Sequence, residues 1–193
     1  MDTTHRHDGS ESDLLAAVAA GKQSAFDQLY ALYEQRVFQY VCTLVFNPTL
    51  AEEIVGDTMM AIWQGAGTFA HTSRVSTWIF GIARHKALDA MRRTGRQQRE
   101  VDLDGIAELP HTEESPVDGI QRKQVASLTQ RALAGLSREH QEIIRLVFYE
   151  ELPYEEIAAL LSIPTNTVKT RVYYAKQHLK QQLERLGQKE SIR

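Results

Sequence analysis

The sequence predicts an all-α protein of two small helical domains joined by a flexible acidic linker, the C-terminal domain being a helix-turn-helix. Three observations carry this. Apolar residues recur every three to four positions through segments that stop at Gly21, at Asn47-Pro48 and at Gly135, the spacing of one buried face on an α-helix. Residues 101–117 lose that period, are rich in acids and contain Pro110 and Pro116, so they have little with which to build a packed core. Tyr154–Leu161 reads as a short helix, Ser162-Ile163-Pro164 as a turn, and Thr165 as the start of a long second helix.

At 193 residues and 42% hydrophobic, the chain is long enough for one large or two small domains. The expected division is a disordered leader at 1–12, a first domain at 13–98, an acidic linker at 99–118, a second domain at 119–187 and a tail at 188–193. The net charge is only −3, but its distribution is uneven. Arg84, Lys86, Arg92, Arg93, Arg96 and Arg99 outnumber Asp89 and Glu100 across 81–100. Asp102, Asp104, Glu108, Glu113, Glu114 and Asp118 meet no Lys or Arg across 101–118. Lys169, Arg171, Lys176, Lys180, Arg185, Lys189 and Arg193 restore a basic surplus over Glu184 and Glu190 from 160 onward. Basic, acidic and basic blocks alternate.

Several classes are set aside on composition. The one cysteine, Cys42, cannot form an internal disulfide; its apolar neighbours suit a buried, inert thiol in a reducing cytosol. No apolar run approaches the roughly 18 residues of a membrane span, and residues 1–13 lack the apolar core of a signal peptide. The seven histidines are scattered and none stands at zinc-ligand spacing, so no metal and no cofactor are expected. No nucleophile with an adjacent base and no phosphate-cradling glycine loop appears, which argues against an enzyme.

In chain order, Ser12–Gly21 is expected to form a short first helix on Leu14, Leu15 and Val18. A second helix, from Ser24 to Phe46, would bury Phe26, Leu29, Tyr30, Tyr33, Val37, Phe38, Val41, Cys42 and Val45. Thr49 and Glu52 have capping-box spacing and would open the third helix. Its buried face would be Ile54, Val55, Met59, Ile62 and Trp63. Glu53, Asp57, Met60 and Gln64 fall on the other side, either as a solvated face or as a docking strip for a basic partner. Residues 65–76, with two glycines, Phe69, His71 and Arg74, read as a loop placed to hold an extruded base.

The next segment, Ser76 to Arg93, carries the chemistry. Ile79, Phe80, Ala83, Ala87, Ala90 and Met91 gather on one side; Trp78, His85, Lys86, Asp89, Arg92 and Arg93 gather on the other. A large aromatic set among cations suits single-stranded nucleic acid, whose bases stack while Lys and Arg follow the phosphates. The alternative is that Trp78 tucks under a neighbouring loop.

After the linker, helices are expected at 118–133 and 138–149, the latter with Ile143, Ile144, Leu146, Val147 and Phe148 for the core. The last helix has a seam of Val168, Val172, Ala175, Leu179, Leu183 and Leu186. Opposite lie Thr170, Tyr173, Tyr174 and Gln177, flanked by Lys169 and Lys180, a polar, aromatic and basic face of the kind that enters a major groove.

From about Phe26 to Leu183 the order of these segments resembles the extracytoplasmic-function sigma factors, small promoter-specificity subunits of bacterial RNA polymerase. Residues 51–58 (AEEIVGDT) resemble region 2.2, residues 76–84 (STWIFGIAR) regions 2.3 and 2.4, and residues 154–158 (YEEIA) with 167–171 (TVKTR) region 4.2. The resemblance implies that Glu53, Asp57 and Met60 dock the clamp helices of the polymerase, with the flap of the large subunits as a further contact. It implies that Phe69, Arg74, Trp78, His85, Lys86, Arg92 and Arg93 engage the minus-10 element as single strands. Asn166, Lys169, Thr170, Arg171, Tyr173 and Tyr174 would read the minus-35 element in the major groove. It further implies an anti-sigma factor as partner, a cytoplasmic site of action that such a factor can tie to the membrane, and a stress-type regulon. Gly56, Asn166, Tyr174 and Lys176 depart from the family pattern, which commonly has glutamine, glycine and two arginines there. Two other readings stay open: a sigma-like mimic that sequesters an anti-sigma factor, and a plain helix-turn-helix repressor.

Overall fold

The computed structural model describes residues 3–97 and 128–190, with side chains at 9–94 and 128–187. The acidic linker therefore lies outside the described residues. The chain divides into two compact units, Met1–Glu108 and Leu109–Arg193, each built of helices.

In the first unit, α1 (Thr3–Ala19), α2 (Gln23–Val45), α3 (Pro48–Gly65) and α4 (Val75–Gln97) pack together, with a 3-10 turn at Ala66–Thr68 between the last two. The core is made by Leu29, Tyr33, Val37, Tyr40 and Val41 of α2, Ile54, Met59 and Ile62 of α3, and Ile79, Phe80, Ala83 and Ala87 of α4. Phe80 is its aromatic centre, edge-on to Tyr40 at 5.2 Å and to Tyr33 at 6.4 Å. The three alanines on the inner stripe of α4 let its backbone approach its neighbours closely, so a helix with a basic outer face still has a well-covered back. Cys42 is buried, as its neighbours suggested.

Two expectations for this unit are corrected. The first helix begins at Thr3, inside the stretch read as a disordered leader, and not at Ser12. That helix is tied to α2 by a long-range polar contact that no local pattern announces: the buried Glu11 carboxylate accepts from the Tyr33 hydroxyl at 2.6 Å and lies 3.7 Å from the Arg36 guanidinium. That guanidinium covers the Tyr33 ring at 4.4 Å. Burial and the Glu11 charge push the Tyr33 hydroxyl far above its usual range, so it stays protonated and donates. The cap of α3 is Asn47, not Thr49. Asn47 is extended (φ −135, ψ 109), as a residue before proline must be, and its side chain accepts from the Leu50 amide at 3.1 Å. Pro48 then occupies the first helical position, where a missing N–H costs nothing.

Gly56 sits on the exposed side of α3, and a Cβ built there meets nothing within 4 Å. Gly56→Ala should therefore stabilise this unit by about 1 kcal/mol, the helix-propensity difference alone. Denaturant titration would register it as a higher midpoint with an unchanged slope.

In the second unit, α5 (128–134), α6 (Arg138–Ile144), α7 (Tyr154–Leu161) and α8 (Thr165–Glu190) enclose Ala132, Leu136, Ile143, Ile144, Leu146, Ile157, Leu161, Val168, Val172 and Ala175. The helix expected to run to 149 changes to a π-helical turn at Arg145–Tyr149. The wider turn rotates the residues after it, which places Phe148, expected in the core, at 47% exposure, with the Lys176 ammonium over its ring at 4.8 Å. Half-buried Arg145 and buried Glu150 pair at 3.0 Å across that turn. The seam on α8 is fully buried at Val168, Val172 and Ala175 and half-buried at Leu179, Leu183 and Leu186. No described helix is long and apolar enough to cross a membrane.

Candidate nucleic-acid interface

Each unit presents a candidate surface. In the first, α4 begins immediately after an irregular loop, so the loop and the helix start share one site. Phe69 is 9% exposed and lies 5.5 Å from the Trp78 ring and 4.7 Å from His71. Trp78 is half-buried, with its ring 5.5 Å from that of Phe69 in the loop. Phe69 is buried behind Trp78 in this conformation. His71 of the same loop, which the family resemblance does not place on the minus-10 strand, sits exposed with a left-handed backbone (φ 54). A non-glycine residue held there is uncommon and marks a loop that its surroundings constrain. The only hint in the sequence was a second ring two residues from Phe69.

Farther along α4, the Asp89 carboxylate lies between His85 Nδ1 at 3.3 Å and Arg92 Nη1 at 3.1 Å. His85, Arg92 and Arg93 are exposed; Lys86 and Arg74 are half-buried. The shared carboxylate orders His85 and Arg92 into one row. A strip on α3 is separate from this row in sequence: Glu53, Asp57, Met60 and Gln64 are all exposed, and Met60 reaches 56%. At four- and three-residue spacing they share one helix face.

In the second unit, Ser162 takes the left-handed conformation (φ 56) that ends α7, and Ile163 N–H bonds back to the Ala158 carbonyl at 3.0 Å. The following Pro164 allows α8 to start at once. Asn166, Lys169, Thr170, Tyr173 and Tyr174 are exposed, the two tyrosine rings edge-to-face at 5.4 Å. Arg171 lies 3.6 Å from Glu139 of α6.

His140 of α6 lies 5.0 Å from His178 of α8, ring to ring. Burial and then His178 push its imidazole below the usual 6.5, with Glu139 pulling upward and Arg171 downward. The folded state thus resists a proton that the unfolded chain accepts. This contribution to stability is intact above about pH 6.5 and is lost as pH falls through 6.5 toward the lower folded value. Thermal melts at pH 7.5 and 5.5 should show a drop for this unit that His140→Gln reduces.

No group of three or more His, Cys, Asp or Glu able to hold a metal occurs among the described residues. Both units match known sequence families. Residues 29–97 match Sigma-70 region 2, and residues 127–179 match Sigma-70, region 4. The chain is similar to the ECF RNA polymerase sigma factor RpoE of Cereibacter sphaeroides, 28% identical over 83% of this chain and 87% of that protein. It is similar to the ECF RNA polymerase sigma factor SigL of Mycobacterium tuberculosis, 29% identical over 90% of this chain and 97% of that one. Among solved structures it resembles the sigma factor RpoE of Bartonella quintana, crystallised with the anti-sigma factor NepR, with a TM-score of 0.68 and 26% identity over 82% of this chain and 96% of that one.

Proposed function

The chain belongs to the extracytoplasmic-function group of the sigma-70 family and directs RNA polymerase to promoters, and on that premise we propose which of its surfaces performs each step. Sigma factors are non-catalytic subunits, so every step here is binding. The exposed strip Glu53, Asp57 and Met60 docks the polymerase clamp helices, the acids steering a basic surface and Met60 supplying the buried contact. Asn166, Lys169, Thr170, Tyr173 and Tyr174 lie in the major groove of the minus-35 element. There, phosphate contacts position the helix and base-edge contacts select the sequence. Trp78, backed by Phe69 and His71, receives an unstacked base of the minus-10 element, while Arg74, His85, Lys86, Arg92 and Arg93 follow the strand. Melting then follows from capture: a base held on Trp78 is not available to re-pair.

The observation that carries this division is the Trp78 ring, half-open and held from behind at the head of a helix with a basic outer face. An anti-sigma factor is the expected inhibitor, a reading supported by the similar sigma factor crystallised with one. Its target would be the exposed α3 strip, and the cytoplasm is the compartment in which these contacts occur. The regulon is of the stress type.

Run-off transcription with purified core polymerase on fragmented genomic DNA of the source organism tests the whole. Discrete new starts preceded by two spaced elements, weakened by both Trp78→Ala and Tyr174→Ala, are the expected result. A folded protein that supports no core-dependent initiation would sink it.

A further inference from the structure

Down the side of α8 that faces α6, positions 171, 175, 178 and 182 form one stripe at four-, three- and four-residue spacing. Ala175 is fully buried on it. The other three each reach across: Arg171 Nη2 to Glu139 Oε2 at 3.6 Å, the His178 ring to the His140 ring at 5.0 Å, and Gln182 Nε2 to the Gly135 carbonyl at 3.5 Å. At 100° per residue, Arg171 stands about 160° around the helix from both Lys169 and Tyr173. It therefore lies opposite Lys169 and Tyr173, at the α6-facing edge of a surface that also carries Tyr174 about 60° away.

We infer that Arg171 and Glu139 are positioning residues that fix the register of α8 on α6 and so decide which base edges Lys169, Thr170 and Tyr173 can reach. This rests on the reading of α8 as the minus-35 helix. A slip of one turn in either direction takes the cation away from Glu139, because the residues one turn before and after Arg171 on that stripe are Val168 and Ala175. A slip of one turn would set a carboxylate against an apolar seam. The pair is partly exposed, at 27% and 66%, so its worth to stability is small. What it supplies is a choice of geometry. The ring-to-ring and amide-to-carbonyl contacts lower on the same stripe involve no carboxylate and discriminate registers less strongly.

The test uses holoenzyme and a promoter fragment recovered by run-off mapping, as a set of duplexes substituted singly through the upstream element. Affinity is measured across a salt series for wild type, Arg171→Gln, Glu139→Gln, the exchanged pair Arg171→Glu with Glu139→Arg, and Lys169→Gln. Direct readout discriminates bases by on the order of tenfold to a hundredfold per pair. Arg171→Gln and Glu139→Gln should each reduce that ratio several-fold, with the exchanged pair recovering it and the salt slope unchanged. Lys169→Gln should instead lower the slope by about 0.9, one phosphate contact. A fall of that size in Arg171→Gln, or tighter binding by Glu139→Gln, would show Arg171 on the DNA and overturn the inference. So would an equal loss on every duplex, since a loosened fold scales all affinities alike. If Lys169→Gln is also without effect, the groove reading itself falls; if Lys169 responds and Arg171 does not, only the strut falls.

Discussion

Trp78→Ala is expected to cut occupancy of a melted minus-10 element on the order of tenfold to a hundredfold, the loss of one base stacked on an aromatic ring. The effect should appear on a fork-junction template, whose single strand is already free, and be absent on a fragment carrying only the duplex upstream element. Trp78→Phe should keep most of the activity, because the ring and its backing by Phe69 at 5.5 Å are largely retained. Folding is a lesser concern: Trp78 is half-buried, while the packing centre of the unit is Phe80. Equal losses on both templates, with a normal melting profile, would mean that the ring supports the loop and holds no base.

Substitution on the α3 strip carries the second large effect. Met60→Lys places a charge at the one apolar side chain of an acidic strip and should weaken binding to core polymerase by at least about tenfold, the scale of a contact at the centre of an interface. Asp57→Lys should also weaken it, but in a salt-dependent way and chiefly through the association rate, since an exposed charge steers more than it holds. Neither change should move the melting temperature, because both side chains are exposed and Met60 is open to 56%. Unaltered affinity of Met60→Lys in a fluorescence titration with labelled chain would remove α3 from the docking surface.

The sequence displayed what depends on local period. The bounds of α7, the buried stripe of α4, the inner seam of α8 through Ala175 and the exposed tyrosines all follow from apolar spacing and turn residues. The misplaced features depend on contacts across distance or on one dihedral angle. Glu11 looked like a charge in a polar leader because its partner, Tyr33, is 22 residues away. Thr49 had a capping-box partner at the correct spacing, but Asn47 stood earlier and before a proline, which fixed its backbone in the capping conformation. Phe148 left the core because one π-turn changed the period that had placed it inside. For Phe69 and Arg171, residue type suggests DNA contact, while the packing partners Trp78 and Glu139 are legible only in the fold. Spacing on a helix gives the direction of a side chain only when the facing helix is also known.

Cys42 is the chain's one cysteine and is 2% exposed in the first unit. A thiol so covered is silent to maleimide while the helices stay closed, so a cysteine introduced at an exposed position of either unit can carry a fluorophore without background. The native thiol then serves a second purpose. Its own slow labelling under native conditions measures how often α2 opens, a clock for local unfolding that requires no mutation and can be read with and without polymerase bound.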